Sequence, residues 1–247
     1  MVVRLDQLLV ERGLVGSREL AKARIMAGEV FSGDQRLDKS GLTVPKDLPL
    51  EIRARGPSYV GFGGEKLERA LHHFQRDVLG KVVLDVGAST GGFTDCLLSH
   101  GAKKVYAYDV GYGQLDPKLR GDPRVVVVEK RNVRYLRPEE ISEPLDLACV
   151  DVSFISLCLV LPPIARCLRP KGEILALVKP QFELEKGEVG KGGIVRDPLK
   201  RERAIRKIEL FSQEQGWIPL GRCESPMKSS RGNVEVFLLI QVGGDLS

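Results

Sequence analysis

From residue 82 to residue 242 the sequence alternates short apolar runs with amphipathic segments, and this alternation constrains the fold more than any other feature. The apolar runs include VVLDV at 82–86, KVYAYDV at 104–110, DLACVDV at 146–152 and GEILALVKP at 172–180. Strands that alternate with helices predict an α/β domain, a parallel sheet covered on both faces. The last two runs, 217–225 and 233–242, have no helix between them. They predict a hairpin whose final strand is antiparallel within the sheet.

The first sixty residues follow another pattern and predict a small α+β domain. Residues 4–12 have helical periodicity, and a second helix is expected from Ser17, a favourable N-cap, to Gly28. Short alternating strands broken by glycine and proline follow. The second helix is expected to bury Leu20, Ala23 and Ile25. We assign residues 1–57 to this domain, 58–65 to a Gly/Pro-rich linker and 66–243 to the larger domain.

Composition limits the class of protein. A net charge of +5 permits a nucleic-acid partner but does not require one. The five cysteines show no C-x-x-C spacing, which indicates free thiols in a reducing compartment and disfavours disulfides or a zinc site. The sequence shows no signal peptide and no membrane-spanning run, so a soluble cytoplasmic protein is expected.

The loop GASTGG joins the first strand of the larger domain to a helix, as in nucleotide-type binding sites. Neither G-x-x-x-x-G-K-[ST] nor G-x-G-x-x-G is present, and residues 82–102 contain no Lys or Arg, which disfavours a phosphate-bearing ligand. Acidic residues end the first two strands. Asp109 is suited to a ribose diol and Asp85 to a cationic amino group, which favours S-adenosylmethionine over NAD. A tight turn without any ligand is the alternative.

The predicted cofactor contacts lie in this loop and at the neighbouring strand ends. They are Asp85, Gly87, Ser89, Gly91, Gly92, Phe93, Asp109 and Asn132.

Three charged residues interrupt apolar strands at what should be one edge of the sheet. Asp151, Lys179 and Glu235 occur in ACVDVSF, ILALVKPQFE and NVEVFLL. A charged group at a sheet end costs free energy unless it is paired or solvated. One such residue could form a structural salt bridge, whereas three at one edge indicate a catalytic site.

The stretch RLDQLLVERGLVGSRELAKARIMAGEVFSGDQRLDKSGLTV resembles the alpha-L RNA-binding domain, first recognised in a small-subunit ribosomal protein. The resemblance rests on RLDQLL, on SR followed by a basic helix, and on a G-x-V strand. It implies that Arg4, Arg18, Lys22 and Arg24 face RNA phosphates. A solvated helix face is the alternative interpretation of the same charges.

The motifs DVGASTGGFTD, YAYDVGYGQL, CVDVSFISL, LVKPQFE and GNVEVF occur in the order typical of the TlyA family, which this chain resembles over nearly its full length. Members are often labelled hemolysin A and resemble the FtsJ class of ribose 2'-O-methyltransferases that act on ribosomal RNA. The resemblance implies a Rossmann-like methyltransferase sheet, S-adenosyl-L-methionine as cofactor and no metal. Ribosomal RNA or ribosomal subunits are the implied partners, and cytidine is the implied target.

The FtsJ class uses a Lys-Asp-Lys-Glu tetrad, which the resemblance places on Lys66, Asp151, Lys179 and Glu235. Lys66 lies in GFGGEKL, where the family usually has S-R-G-x-x-K-L. A ribose hydroxyl is a poor nucleophile, so we expect Lys179 to orient it or to accept its proton.

A basic stretch follows Lys179. Residues 186–207 contain eight Lys or Arg and three Asp or Glu. We predict an RNA-contacting lid that includes Lys191 and Arg196, with a solvated surface as the alternative for its helical half.

Two other functions stay open at this point. One is an RNA-binding or ribosome-assembly factor without catalysis. The other is a membrane-active hemolysin, which the lack of a membrane-spanning segment disfavours. The target nucleotide, the ribosomal subunit and the oligomeric state are not determined by the sequence.

Overall fold

The computed structural model describes residues 2–26, 28–33, 35–52, 59–185, 187–227 and 232–243. The chain divides into two compact units, Met1–Gly56 and Pro57–Ser247. The domain boundary predicted between residues 57 and 58 lies outside the described residues.

The described residues of the first unit form two helices and five short strands. The helices are α1 (Leu5–Glu11) and α2 (Arg18–Met26), and the strands are β1 (Val2–Arg4), β2 (Val30–Ser32), β3 (Gln35–Arg36), β4 (Thr43–Pro45) and β5 (Glu51–Ile52). Strand β1 pairs with β4, and β2 lies between β3 and β5; all three pairings are antiparallel. This is the small α+β architecture that the sequence predicts.

The core of the first unit contains a different face of α2 from the predicted one. Ser17 Oγ accepts a hydrogen bond from Leu20 N at 3.1 Å, as expected of the N-cap. Ile25 is buried as predicted, but Leu20 and Ala23 are exposed and Ala21 is buried instead. Residues four apart share a helix face, so Ala21 is aligned with Ile25 and Leu20 turns away from it.

The second unit is built on a seven-stranded sheet in the order β11-β12-β10-β9-β6-β7-β8. Its strands are β6 (Val82–Val86), β7 (Lys104–Tyr108), β8 (Val125–Val128), β9 (Leu145–Val150), β10 (Leu168–Val178), β11 (Ile218–Glu224) and β12 (Val236–Gln241). Five strands are parallel, whereas β12 is antiparallel to both β10 and β11. The predicted Rossmann-like sheet with an antiparallel last strand is therefore confirmed.

Helices cover both faces of this sheet. They are α3 (Gly63–His73), α4 (Gly92–Ser99), α5 (Pro117–Arg120), α6 (Leu157–Ala165), α7 (Pro180–Glu183) and α8 (Pro198–Glu214). Adjacent residues of β6 enter different cores: Val83 belongs to the core that includes Leu67 of α3, and Leu84 belongs to the core that includes Leu161 of α6. Helix α3 begins at Gly63, so three residues of the predicted 58–65 linker belong to it.

The order of the sheet reverses at β6, which pairs with β7 on one side and β9 on the other. Ligands of such sheets bind outside the carboxyl ends of the strands at this point. Asp109, Asp151 and Lys179 immediately follow β7, β9 and β10. Glu235 precedes the antiparallel strand β12, so it lies at the same edge.

Candidate active site

The loop between β6 and α4 contains two positions that only glycine can occupy without strain. Gly87 has φ +84°, and a Cβ there would lie 2.4 Å from the carbonyl oxygen of Asp151. Gly91 has φ +101°, and a Cβ there would lie 2.3 Å from Leu119 Cδ1. Both positions combine a left-handed backbone with close packing. The loop is thus in direct contact with the strand end that carries Asp151.

Asp85 supports this loop from beneath. Its side chain is fully buried, and its Oδ2 accepts a hydrogen bond from Thr94 Oγ1 at 2.6 Å. Its Oδ1 has no hydrogen-bond partner among the described residues. Burial, reinforced by the nearby carboxylates of Asp151 and Asp109, raises the pKa of Asp85 to about 7. The sequence suggested that Asp85 meets a cationic group of the ligand, whereas the structure directs it towards α4.

A cleft of about 1280 Å³ opens at the carboxyl ends of β6, β7 and β9. Four of the eight predicted cofactor residues line it: Gly87, Ser89, Asp109 and Asn132. The other four are buried, namely Asp85, Gly91, Gly92 and Phe93. The Phe93 ring lies in the core, 6.2 Å from the Phe237 ring, so the prediction of a ligand contact there is corrected.

Asp109 holds the cleft in shape through both oxygens of its carboxylate. Oδ2 accepts from Ser89 N at 2.8 Å and Oδ1 accepts from Gly111 N at 2.6 Å. The Asn132 side chain accepts from Arg134 N at 3.1 Å and so caps a 3₁₀ turn. The remaining lining is largely apolar, with Val110, Val133, Ile155, Leu159 and Phe182. Apolar walls with a few placed carboxylates fit a ligand that has an aromatic ring, a diol and a cationic group.

The four residues predicted as the tetrad form two ion pairs at this edge. Lys179 Nζ lies 2.6 Å from Asp151 Oδ1, and Lys66 Nζ lies 2.8 Å from Glu235 Oε2. The exposed fractions of the four side chains are small: 11% for Lys179, 22% for Asp151, 15% for Lys66 and 3% for Glu235. Lys179 Nζ also donates to Ser153 Oγ at 2.9 Å, a contact that the sequence did not reveal.

A second groove, of about 380 Å³, lies beside the cleft and contains the two lysines and Glu235. Its other lining residues include Gln181, Val189, Gly193 and Asn233. The cleft and the groove share the side chains of Ser153, Phe154 and Phe182 as a common wall. A molecule in the groove would therefore face a ligand in the cleft.

Phe154 is a prominent part of that wall that the sequence interpretation missed. Its side chain is 82% exposed, its ring lies 5.0 Å from the Phe182 ring, and its φ is +63°. A bulky residue rarely adopts a left-handed backbone, and such strain concentrates at functional sites. The motif DVSF contained the signal, since an apolar residue follows polar ones at a strand end.

The sequence model of the FtsJ-like methyltransferase family matches residues 59–242 of this chain. The chain belongs to the FtsJ-like methyltransferase family. A candidate rRNA methyltransferase of Bacillus subtilis, YqxC, is 49% identical over 98% of this chain and 86% of its own length. The 16S/23S rRNA (cytidine-2'-O)-methyltransferase TlyA of Mycobacterium tuberculosis is 45% identical over 98% of this chain and 91% of its own length. The structure is also similar to that of a candidate hemolysin from Streptococcus thermophilus, with a TM-score of 0.77, 40% identity and coverage of 98% and 89%.

In this FtsJ-like protein, two of the residues predicted to contact RNA from the first unit are tied to a buried carboxylate. Arg4 and Arg18 both contact Asp6, at 3.0 and 3.2 Å, and about half of each arginine side chain stays exposed. The hydrogen bonds from Arg4, followed by those from Arg18, lower the pKa of Asp6 to about 2. Arg24 pairs with Glu29 at 2.7 Å, and Lys22 is exposed.

Several basic side chains of the stretch after Lys179 form ion pairs within the protein, so fewer of them are free to contact RNA than the charge of the stretch suggested. Arg203 pairs with Glu188, Arg206 with Glu209 and Lys207 with Glu183. Lys191 and Arg196 are exposed. Lys186 lies outside the described residues. The loop is anchored by buried Asn233, which accepts from Val195 N and donates to Gly193 O, both at 2.8 Å.

Three other cations of the FtsJ-like unit have no carboxylate partner among the described residues. Lys130, Arg131 and Arg134 are exposed at the rim of the cleft, and the last two line it. Lys130 Nζ lies 4.0 Å from the centroid of the Tyr112 ring, and Tyr135 is exposed nearby in sequence. The sequence interpretation missed this rim, although KRNVRY carried the signal.

The described part of the molecule offers neither a metal site nor a membrane-spanning helix. No group of three or more His, Cys, Asp or Glu side chains is placed to hold a metal ion there. None of its helices has both the length and the apolar character needed to cross a membrane.

Proposed function

We propose that this protein transfers a methyl group to the 2'-hydroxyl of a cytidine ribose in ribosomal RNA. The observation that carries the proposal is the pair of lysine–carboxylate contacts, Lys179–Asp151 and Lys66–Glu235, in the groove beside the cleft. The Mycobacterium tuberculosis relative is named for this reaction. Its similarity covers nearly the whole chain, including both units.

The methyl donor is S-adenosyl-L-methionine, which supplies a methyl group already activated by a positively charged sulfur. In this proposal Gly87, Ser89, Asp109 and Asn132, which line the cleft, hold the cofactor. What this chain must add is the alignment of the acceptor hydroxyl with the methyl group, because correct positioning alone accounts for large rate enhancements.

Lys179 is placed to act on the hydroxyl. An ion pair with Asp151 and a hydrogen bond to Ser153 Oγ restrain its amino group before the substrate binds. A neutral Lys179 amine can accept the 2'-hydroxyl proton, and a charged one can only orient the oxygen. Lys66, fixed by Glu235, faces the same groove and can hold the ribose from the other side.

RNA contacts come from two surfaces in this proposal. In the first unit, Arg4, Arg18, Lys22 and Arg24 form an alpha-L type surface for phosphates. In the methyltransferase unit, Lys191 and Arg196 lie beyond the groove, while Lys130, Arg131 and Arg134 flank the cleft. The exposed ring of Phe154 offers a surface on which an unstacked base can lie. We place the protein in the cytoplasm, where its substrate is made.

The deciding experiment is mapping of ribose methylation by mass spectrometry after rRNA or ribosomal subunits are incubated with the protein and labelled cofactor. We expect label on the 2'-oxygen of one or a few cytidines, and none with Lys179→Ala. Label on a base, or none with the wild-type protein, would refute the proposal. RNA binding without transfer would instead support an assembly factor, and leakage of liposomes a membrane-active protein.

A further inference from the structure

Glu183 is a buried carboxylate outside the tetrad. It is the last residue of α7, and its side chain is 1% exposed. A carboxylate removed from water is costly unless donors replace its hydration. Three donors do so here: Ser156 Oγ at 2.6 Å, Leu157 N at 2.7 Å and Lys207 Nζ at 3.2 Å.

The carboxylate joins two segments that each carry a tetrad residue. Segment 151–157 begins with Asp151 and runs into the first turn of α6. Segment 179–183 begins with Lys179 and ends with Glu183. The ion pair of Lys179 with Asp151 fastens the two segments at one end, and the bonds to Glu183 fasten them at the other.

The hydrogen bonds to Glu183 come from residues 156 and 157, just after Phe154, the residue of this wall with a left-handed backbone. Phe154 lies between the two fastenings, with its left-handed backbone and its ring against Phe182. An L-residue stays in that conformation only where its surroundings impose it. The bonds that Ser156 and Leu157 donate to Glu183 hold the chain immediately after this point.

Glu183 is itself tied to a long helix. Lys207 of α8 donates to the Glu183 backbone oxygen at 2.8 Å as well as to its carboxylate. Helix α8 has 17 residues and packs Ile205 and Ile208 into the apolar core on one face of the sheet. The carboxylate therefore has a fixed support that does not depend on the groove or its contents.

We propose that Glu183 is a positioning residue for methyl transfer, which sets the place of Asp151 relative to Lys179 without touching the substrate. The proposal rests on the proposed function. A displacement of about 1 Å in an aligned site can reduce the rate about 100-fold. Since Asp151 and Ser153 both contact the Lys179 amino group, loosening their segment misaligns that group.

The direct test is Glu183→Gln, which keeps the side-chain shape but removes the charge and one acceptor oxygen. We expect the single-turnover rate of methyl transfer to fall about 10- to 100-fold. The dissociation constants for cofactor and RNA should change much less than the rate, because the loop that holds Gly87, Ser89 and Asp109 lies outside the loosened segment, which supplies only one wall of the cleft. The matched control is Glu173→Gln. Glu173 lies on β10, the strand that leads to Lys179, and the variant breaks its ion pair with Arg76. That control should transfer methyl at the wild-type rate.

Hydrogen exchange of the protein, followed by mass spectrometry, gives a readout that does not require activity. Exchange in segment 151–157 should become faster in Glu183→Gln, with β6 and β7 unchanged. Ser156→Ala removes the bond to Glu183 and the N-cap bond from Cys158 N but keeps the carboxylate. It should show the same local effect and carries the test if the first variant does not fold.

Unchanged exchange in segment 151–157, or a wild-type rate in Glu183→Gln, would overturn the positioning role. So would a fall in rate accompanied by an equal loss of cofactor binding, since this indicates general damage to the fold. Absence of methyl transfer by the wild-type protein would refute the proposed function instead, and the exchange result would still decide whether Glu183 fixes the segment.

Discussion

Lys179 and Asp151 form an ion pair of 2.6 Å, and each is the first residue after one of two neighbouring parallel strands. The backbone pairing of β10 with β9 therefore fixes the distance between the backbones of Lys179 and Asp151. A base or orienting group placed in this way costs little additional ordering when the substrate arrives. Glu235 lies at the same edge of the sheet. Three residues of the tetrad therefore come from strand ends, and the fourth, Lys66, comes from helix α3.

Replacement of Lys179 tests its chemical role. Lys179→Ala should reduce the single-turnover rate about 10²- to 10⁴-fold while cofactor and RNA affinities stay nearly unchanged. Lys179→Arg should not restore the rate, since a guanidinium stays protonated and cannot accept a proton. The control is Lys171→Ala, an exposed position on the same strand. Near wild-type transfer by the Arg variant would show that the charge alone suffices.

Asp109→Ala should weaken binding of S-adenosyl-L-methionine by about 1–3 kcal/mol, the usual cost of an unpaired buried polar group. The carboxylate also accepts from Ser89 N and Gly111 N, so its loss leaves two loop amides without their partner. Isothermal titration calorimetry measures the effect. Asp122→Ala, which removes an acidic residue paired with Arg124 away from the cleft, is the control. Equal affinities for the two variants would exclude Asp109 from the site.

Removal of residues 1–57 should separate cofactor binding from RNA targeting. The described part of the second unit has its own sheet and two apolar cores, so we expect the remaining chain to fold and to bind cofactor. It should fail to methylate rRNA. Circular dichroism and calorimetry check the first expectation, and the methylation assay checks the second. Full activity of the shortened protein would show that the first unit does not guide the substrate.

Lys22→Glu is the cleanest charge reversal on the predicted RNA surface. Lys22 is exposed, so the variant should keep its melting temperature while RNA binding weakens and the salt dependence loses about one unit of slope. Arg18→Glu should weaken RNA binding as well, but it also places a second carboxylate beside buried Asp6 and should lower the melting temperature. Binding measured between low and moderate salt distinguishes the two. An unaltered slope for Lys22→Glu would favour a simple solvated face.

The pKa of Asp85 predicts how stability depends on pH. Because burial raises this pKa to about 7, the folded protein takes up a proton below that pH, whereas the unfolded chain does so only near its ordinary value of about 4. This contribution to stability is therefore complete below about pH 4 and is lost as the pH rises towards 7. Asp85→Asn should remove it. Urea unfolding between pH 5 and 8 measures the effect. The free energy of unfolding of the variant should increase relative to that of the wild type as the pH rises. A constant difference between the two proteins would contradict the raised pKa of Asp85.

The sequence predicted the sheet well because its signals are local. Apolar runs alternate with helices, and the missing helix before residue 233 was enough to predict the antiparallel β12. Asp151, Lys179 and Glu235 were recognised because each interrupts an apolar run. Their pairing was not predictable, since it depends on which strands become neighbours.

The errors concern residues whose environment is decided by packing. Phe93 follows two glycines at the start of a helix, and only the position of Phe237 on a strand far along the chain places its ring in the core. Leu20 is more apolar than Ala21, yet the smaller residue is buried because it aligns with Ile25. The rim cations at 130–134 were overlooked because the sequence shows how many charges a stretch has but not which of them form ion pairs. Residues 186–207 have more charges, but several of these are paired within the protein.

The antiparallel ladder of β10 and β12 ends with the pair Val178 and Val236, one residue short of Lys179 and Glu235. Side chains alternate between the two faces of a strand, so one residue added to or removed from β12 would move each of its buried side chains from one apolar core to the other. Changes of length in the turn between β11 and Glu235 leave this phase intact. The spacing from Asn233, which anchors Gly193 and Val195, through Glu235 and β12 is therefore fixed in number as well as in kind.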